Sequence, residues 1–323
     1  MQNVAYKITL GGTTLQSGNK SRLLSLDVQA ALNVPSHRCQ ITVDANAPLT
    51  VNAQDRVQVE LGYDTTLRRV FTGQASRVAA HLTQVQVEAL SSFTALTHAH
   101  VNQVYEKQTA QEIVENQLGK LKVKKARVEK GVNFASYTLS ASRSVWANLQ
   151  TLAQQCGFDF YADHEDQACF AAYRPTQIHQ FTYGTHILEY QWESFSQPVD
   201  GIEVYGESPV GQGQSDDAST WLTKKEVKGR AGQSAGTLLR LVDASARNPN
   251  LANEIANNRL TSYKATARGR VCLLGAPEVR LGDAIKLAQM PVAAHNSQLR
   301  VIGVRHRISV SRGFTTDVDW EKV

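Results

Sequence analysis

Apolar and polar residues alternate along much of the first hundred positions. In residues 23–28, 39–43 and 85–90 every second side chain is apolar, and Pro35, Pro48 and several asparagines punctuate the runs. Successive side chains of a strand point to opposite faces, so this period marks strands with one buried face. The segment from Val4 to Ala95 or so therefore reads as all-β. The period then lengthens. Thr109-Ala110-Gln111-Glu112 has the spacing of a capping box, Ile113, Val114, Gln117 and Leu118 share a helical face, and Gly119 offers a stop. A second helix, opening at Ser142 or Ser144, carries Val145, Trp146, Leu149, Leu152, Ala153 and Cys156 and ends at Gly157. Residues 158–162 and 168–173 then read as an aromatic hairpin around a turn at 163–167.

Strand patterns return from Ile187, in residues 188–192, 201–206 and 221–227, with a polar and mobile loop expected at 211–217. One helix interrupts them after Pro249, with Asn250 as its cap and Leu251, Ile255, Leu260 and Tyr263 on its apolar face. The fold expected is mainly β with an α+β insert. Its three units span residues 1–98, 99–185 and 186–323, the last a β unit with one helix.

The two β units share a pattern. Near the C-terminus a turn containing Gly275 and Pro277 delivers Gly282-Asp283 into a strand; a second strand carries Val301-Ile302-Gly303 and Arg305-His306-Arg307-Ile308, and Gly313-Phe314 turns into a third. In the first unit Asp55 likewise opens an alternating strand, Val57, Val59, Leu61 and Gly62 follow, and Phe71-Thr72-Gly73 precedes Arg77-Val78. Asp55 matches Asp283, Val57 and Val59 match Ile285 and Leu287, and Phe71-Thr72-Gly73 aligns with Val301-Ile302-Gly303.

The C-terminal ordering, and the helix that runs into Cys156-Gly157-Phe158 ahead of the aromatic hairpin, resemble late control protein D. That family forms the baseplate hub of contractile phage tails and related injection systems, and includes the hub part of the valine-glycine repeat spike proteins. The resemblance covers the middle and C-terminal parts of the chain, and the N-terminal part mainly through the repeat. It implies two tail-tube-like β-barrels flanking the small α+β domain, and a homotrimer. Three copies with two barrels each would present six similar barrels to the six-fold tail tube and a three-fold face to a spike. The implied partners are tail tube proteins, a separate spike protein and other baseplate proteins, with DNA or an effector passing through the channel. The implied location is a virion or injection particle, assembled in the bacterial cytoplasm. Asp55, Gly62, Phe71, Gly73, Gly275, Pro277, Gly282, Asp283, Gly303, His306, Gly313 and Phe314 are the candidate fold and assembly residues.

Composition narrows the alternatives. The chain has 323 residues, 42% hydrophobic and 20% charged, the balance of an ordinary folded protein. A net charge of +5 is spread along the chain and does not by itself call for an anionic partner. Cys39, Cys156, Cys169 and Cys272 lie far apart without a paired spacing, so buried free thiols are expected and no metal or other cofactor is. Neither a secretory leader nor a run of about 18 apolar residues is visible, so no membrane span is expected.

No catalytic residues are assigned. Gly232-Gln233-Ser234-Ala235-Gly236 matches a nucleophile elbow, but the charged approach 224–230 is no buried parallel strand, and 237–242 reads as another strand. A flexible loop is expected there. Asp163-His164-Glu165-Asp166 is expected to be a solvated turn, because adjacent turn residues point apart. His306, between Arg305 and Arg307, is expected to face outward or into an interface. The lysine-rich segment 120–130 reads as an edge strand, which lysine protects, and as a face for a neighbouring assembly protein; without interleaved aromatics it does not read as a nucleic-acid site. A structural protein rather than an enzyme is therefore expected. The alternatives are a tail-associated peptidoglycan-targeting hydrolase, with Glu165 or Ser234 in its machinery, and a minor hexameric tail-tube protein.

Overall fold

The computed structural model of the chain describes residues 3–18, 22–32, 34–47, 49–197, 199–206 and 227–322. The first unit comprises β1 (Val4–Leu10), β2 (Thr13–Gln16), β3 (Leu23–Ala31), β4 (Arg38–Asp44), β5 (Arg56–Tyr63), β6 (Thr66–Ala80) and β7 (Gln84–Leu90). The middle follows with α1 (Thr94–His98), β8 (Gln103–Thr109), α2 (Ala110–Lys120), β9 (Lys124–Val128), β10 (Asn133–Leu139), α3 (Val145–Cys156), β11 (Asp159–Ala162) and β12 (Gln167–Ala171). The remainder contains β13 (Ile178–Thr182), β14 (Ile187–Ser194), β15 (Gly201–Gly206), β16 (Val227–Gly232), β17 (Leu238–Asp243), α4 (Pro249–Thr261), β18 (Ala267–Leu274), β19 (Ala284–Ala288), β20 (Gln298–Ser309) and β21 (Gly313–Lys322). The chain is mainly β with an α+β insert.

The expected pair of closed barrels is not formed. Both β units belong to one open 13-stranded sheet, in the order β14-β18-β21-β20-β3-β4-β7-β6-β5-β1-β2, with β19 on the near end of β20 and β13 beyond it. The alternating strands still bury one face, as their sequences require. Ile8, Leu26, Val28, Ile41, Val59, Leu61 and Val87 fill one core, and Val271, Leu273, Ile285, Val301, Val318 and Trp320 fill another.

The repeat is present in the hydrogen bonding. The order β5-β6-β7-β4-β3 recurs as β19-β20-β21-β18-β14, antiparallel at every step. Two irregularities recur with it. The break at Leu23/Ser25 against β4 has its counterpart at Ile187/Glu189 against β18, and that at Ala75/Arg77 against β7 has its counterpart at Val301/Gly303 against β21. The outermost strands differ, since β1 runs antiparallel to β5 while β13 runs parallel to β19. The pairing also corrects the alignment. Arg56 lies opposite Gln74 as Ala284 lies opposite Arg300, so Ala75-Ser76-Arg77, not Phe71-Thr72-Gly73, corresponds to Val301-Ile302-Gly303. The sequence alignment was displaced by four residues, an even number, which leaves every side chain on its own face and so is invisible to the alternation.

The middle unit is a separate core, with Ile113, Val114, Phe134, Leu149, Leu152, Phe160 and Phe170 at its centre. The Thr109 capping box forms: Glu112 N–H donates to the Thr109 hydroxyl at 3.3 Å, and Thr109 N–H donates to the Glu112 carboxylate at 2.7 Å. Gly157, in the left-handed region at φ 66°, ends α3 as expected. Gly119 does not end α2, which continues to Lys120 before Lys122 adopts φ 57°. Asn248, not Asn250, caps α4, accepting from Leu251 N–H at 2.9 Å with Pro249 in the first turn. Although β15, β16, β17 and α4 follow the return of strands, they pack here: Ile202, Val204, Leu251 and Ile255 join the middle core. The strand pattern at 221–226 and the polar loop at 211–217 lie outside the described residues.

A glycine locks the two β units together. A Cβ on Gly275 would stand 2.1 Å from the Phe314 ring, whereas one on Gly12 would meet nothing within 4 Å. We expect Gly275→Ala to cost about 1–3 kcal/mol through overpacking. Thermal unfolding should show a Tm lowered by several degrees, with Gly12→Ala close to unchanged; equal Tm values for the two would contradict this packing.

Candidate functional site

Most of the distinctive residues converge on the line where the two β units meet. There β20 pairs with β3 from Gly303 opposite Ala31 to Ser309 opposite Ser25. Phe314, the second residue of β21, sits in the core of the first unit, its ring 5.8 Å from that of Tyr63, and the Tyr63 hydroxyl donates to Gly275 O at 3.0 Å. Gly275 N–H in turn donates to Phe314 O at 3.0 Å. Gly313, at φ 67°, makes the tight turn from β20 into β21. On the outer face Arg305 Nε donates to both oxygens of Asp27, at 2.9 and 3.1 Å, and Arg307 reaches Asp317 at 2.6 Å.

The two aspartates do the same structural job. Asp55 O accepts from Ala75 N–H at 2.8 Å, and Asp283 O accepts from Val301 N–H at 3.1 Å. Each carboxylate also accepts from the backbone three residues back, Asn52 N–H at 2.7 Å and Arg280 N–H at 3.2 Å. The preceding residues, Gln54 at φ 74° and Gly282 at φ 85°, are both left-handed. Asp283 is the more enclosed, buried with its carboxylate 3.0 Å from His179 Nε2. Gly62 is fixed by the β5–β6 hairpin, where a Cβ would fall 1.8 Å from Thr66 O, and Gly73 by the Leu90 carbonyl at 2.4 Å. Phe71 is buried in the first core, and a Cβ on Gly303 would lie 3.0 Å from the Asp319 carboxylate.

The middle unit wedges into the same seam. The turn 163–166 is not the solvated turn expected: all four residues are half-buried. The hairpin tip docks on the first β unit, where Ser92 N–H and Oγ donate to Asp166 at 2.8 and 3.0 Å and Arg69 Nη1 reaches Glu165 at 3.4 Å. On the other side Arg300 joins Asp159 to Glu321 and lies over the Tyr173 ring at 4.4 Å. A cavity of about 200 Å³ remains where the three meet, lined among others by His37, Arg69, Pro277, Asp283 and His306. His306 is therefore inward and buried, not outward, with Nδ1 3.0 Å from Thr316 Oγ1. It lies at the junction of the two β units, on the β20 segment that follows the irregularity at Val301/Gly303.

Burial dominates the electrostatics of this seam. It lowers the His37 pKa to about 4, against a smaller opposing effect of the Ala31 carbonyl, and that of His306 to about 3. It raises the Asp166 pKa to about 6 despite the Ser92 hydrogen bonds, and the Cys169 pKa to about 11. Both imidazoles are neutral at pH 7, and the Cys169 thiol keeps its proton. Ser234 lies between β16 and β17 in an exposed turn, not between a strand and a helix. The segment 124–128 is an exposed edge strand, paired only with β12 among the described residues. No helix among those residues is long and apolar enough to cross a membrane.

No protein family matches the sequence, and no curated protein does. Solved structures match its fold across nearly the whole chain. A 43 kDa tail protein of prophage MuSo2 from Shewanella oneidensis superposes with a TM-score of 0.70 at 11% identity, covering 98% of this chain and 98% of that one. A tail protein from Neisseria meningitidis MC58 gives 0.72 at 11% identity, covering 99% and 97%. A type VI secretion component from Escherichia coli, described as similar to the bacteriophage T4 tail proteins gp27 and gp5, gives 0.61 at 12%, covering 97% and 76%. The fold is thus the one found in phage tail proteins and in a type VI secretion component.

The buried groups set a pH dependence. The folded-state pKa values of His37 and His306 lie below the unfolded value, so the unfolded chain binds more protons and stability falls as pH drops below about 6.5. Asp166 acts oppositely between about pH 6 and 4, because its folded pKa is raised. The net uptake on unfolding is about one proton there, or about 1.4 kcal/mol lost per pH unit. Urea unfolding at pH 7, 6 and 5 should show this slope, and the double variant His37→Gln/His306→Gln should reverse it, because the Asp166 contribution then stands alone.

Proposed function

We propose that this chain is a structural component of a phage tail or related injection machine, and specifically the baseplate hub: a trimeric adaptor between a six-fold tail tube and a three-fold spike. The observation that carries the reading is the internal duplication. One polypeptide holds two copies of the five-strand arrangement, with matching irregularities and matching aspartate turns. A chain with one such unit would offer three equivalent positions in a trimer; a chain with two offers six. Duplication is thus what allows a three-fold object to abut a six-fold ring. The fold shared with tail proteins supports the same assignment, as does the middle unit, which is wedged into the seam and holds the two copies in a fixed relation.

In this reading the chain is divided as residues 1–98, 99–185 and 186–323 along the sequence, with tube proteins, the spike and other baseplate proteins as its partners, and the axial channel passes DNA or an effector. The assembly residues are Gly275, His306 and Phe314 between the copies, and Asp55 and Asp283 at the turn that each copy repeats.

Light scattering coupled to size exclusion, over a range of concentrations, should give a species of three chain masses, about 106 kDa from the 35.5 kDa chain. A six-membered ring would replace the hub with a tube protein. A monomer at every concentration, with no binding to a purified tail tube, would remove the hub reading.

A further inference from the structure

The seam that joins the two β units has a counterpart that is left open. The far half of β20, from Gly303 to Ser309, is paired with β3. Through the repeat, Gly303–His306 correspond to Arg77–Ala80 of β6, since Arg77 and Gly303 follow the same irregularity. Likewise Leu23 to Ala31 correspond to Ile187 to Phe195, since Leu23 and Ile187 precede the other. Yet among the described residues β6 from Arg77 onward pairs with β7 alone, and β14 beyond Ile187 pairs with β18 alone. Each chain therefore carries one junction that is made and the two separated sides of another.

We propose that β14 of one copy adds to the free edge of β6 in a second copy, repeating between chains the pairing that β3 and β20 make within one. This rests on the hub reading and names its subunit interface. Carrying the register of the internal junction across sets Arg77 opposite Phe195, Val78 opposite Ser194, Ala79 opposite Glu193 and Ala80 opposite Trp192.

The surfaces suit this pairing. Unpaired strand edges invite an added strand, and these two carry apolar side chains in water: Val78 is 38% exposed, Phe195 39%, and Leu82, at the tip of the β6–β7 hairpin, 98%. Beyond Ala80 the hairpin carries Leu82 towards Tyr190, the position of Ile308 against Leu26 in the internal junction. The charges fit as well. In the internal junction Arg305 lies opposite Gln29 and reaches diagonally to Asp27. In the proposed one Arg77 lies opposite Phe195 and reaches along the same diagonal to Glu193. Neither Arg77 nor Glu193 has an ion-pair partner among the described residues, and cross-strand diagonals are within reach of long side chains. The contact is head to tail, so it forms a ring if the rotation closes. In a ring of three copies, internal and intermolecular junctions alternate around six units.

Cysteine pairing tests the register. Residues directly opposite in an antiparallel pair have the Cα separation that a disulfide needs. The double variant Val78→Cys/Ser194→Cys should oxidise to linked dimers and trimers on a non-reducing gel, at least about tenfold more than the misaligned Val78→Cys/Leu188→Cys. Cys39 and Cys156 are buried and Cys169 and Cys272 half-buried, so single variants measure the background. A charge exchange gives an independent reading: Arg77→Glu or Glu193→Arg alone should weaken each contact about fivefold, and the pair together should restore it. If light scattering shows three-copy particles but the aligned pair links no better than the misaligned one, this interface is wrong and the hub reading stands. If the aligned pair links efficiently into ladders beyond three chains, the strand pairing stands and the three-copy hub falls. Monomers at all concentrations with no linkage overturn both.

Discussion

The whole arrangement depends on one strand being shared. β20 gives its near end to β19 and its far end to β3, so it belongs at once to the second core and to the edge of the first. An antiparallel ladder fixes both register and twist, and seven opposed residue pairs between β20 and β3 leave the two units little freedom to pivot. Phe314, Tyr63 and Gly275 then lock the same line from inside the core. The cavity lies beside this junction, lined by Val28 of β3 and by Val304 and His306 of β20. The middle unit closes over it with the tip of its β11–β12 hairpin, held by Ser92 and Arg69.

Much of this was legible in the residues. The alternating runs gave the strands, Thr109 and Glu112 gave the start of α2, and Gly157 gave the end of α3. The aspartates were matched correctly, because a carboxylate that caps its own turn leaves a fixed residue type at a fixed place before a strand. The alignment slipped on β6, where it relied on a shared glycine. Gly73 and Gly303 answer to different neighbours, a carbonyl in one case and the Asp319 side chain in the other, so the common letter carried no common constraint. Period-2 patterns cannot detect a shift by an even number of residues. A bulge, by contrast, has no reliable mark in a sequence, and two bulges were what set the true register.

Closure and long-range partners were the other blind spots. Alternation says that a strand has a buried face, not which sheet supplies the cover. Hence the strands β15, β16 and β17 and the helix α4 read as companions of the C-terminal sheet, although α4 packs on β15 and β16 and on α3 within the middle core. The turn 163–166 misled in the same way: four polar residues in a row imply solvent, and only the approach of Ser92 and Arg69 from a distant part of the chain draws them inward. His306 shows the same effect, a polar residue enclosed at the junction of the two β units.

The pairing of β20 with β3 also has a consequence for synthesis. Ser25 faces Ser309, so every residue between them must leave the ribosome before the edge of β3 finds its partner. Contacts so distant in sequence form late, since a long loop must close first. Until β20 is made the first unit has open edges, those of β3 and of β6 beyond Arg77 among them, which can template pairing with a neighbouring nascent chain. Polysomes making this protein thus hold a ladder of half-finished sheets. Covering the β3 edge from within, by a strand made much later, leaves the folded molecule with fewer sites for the wrong partner.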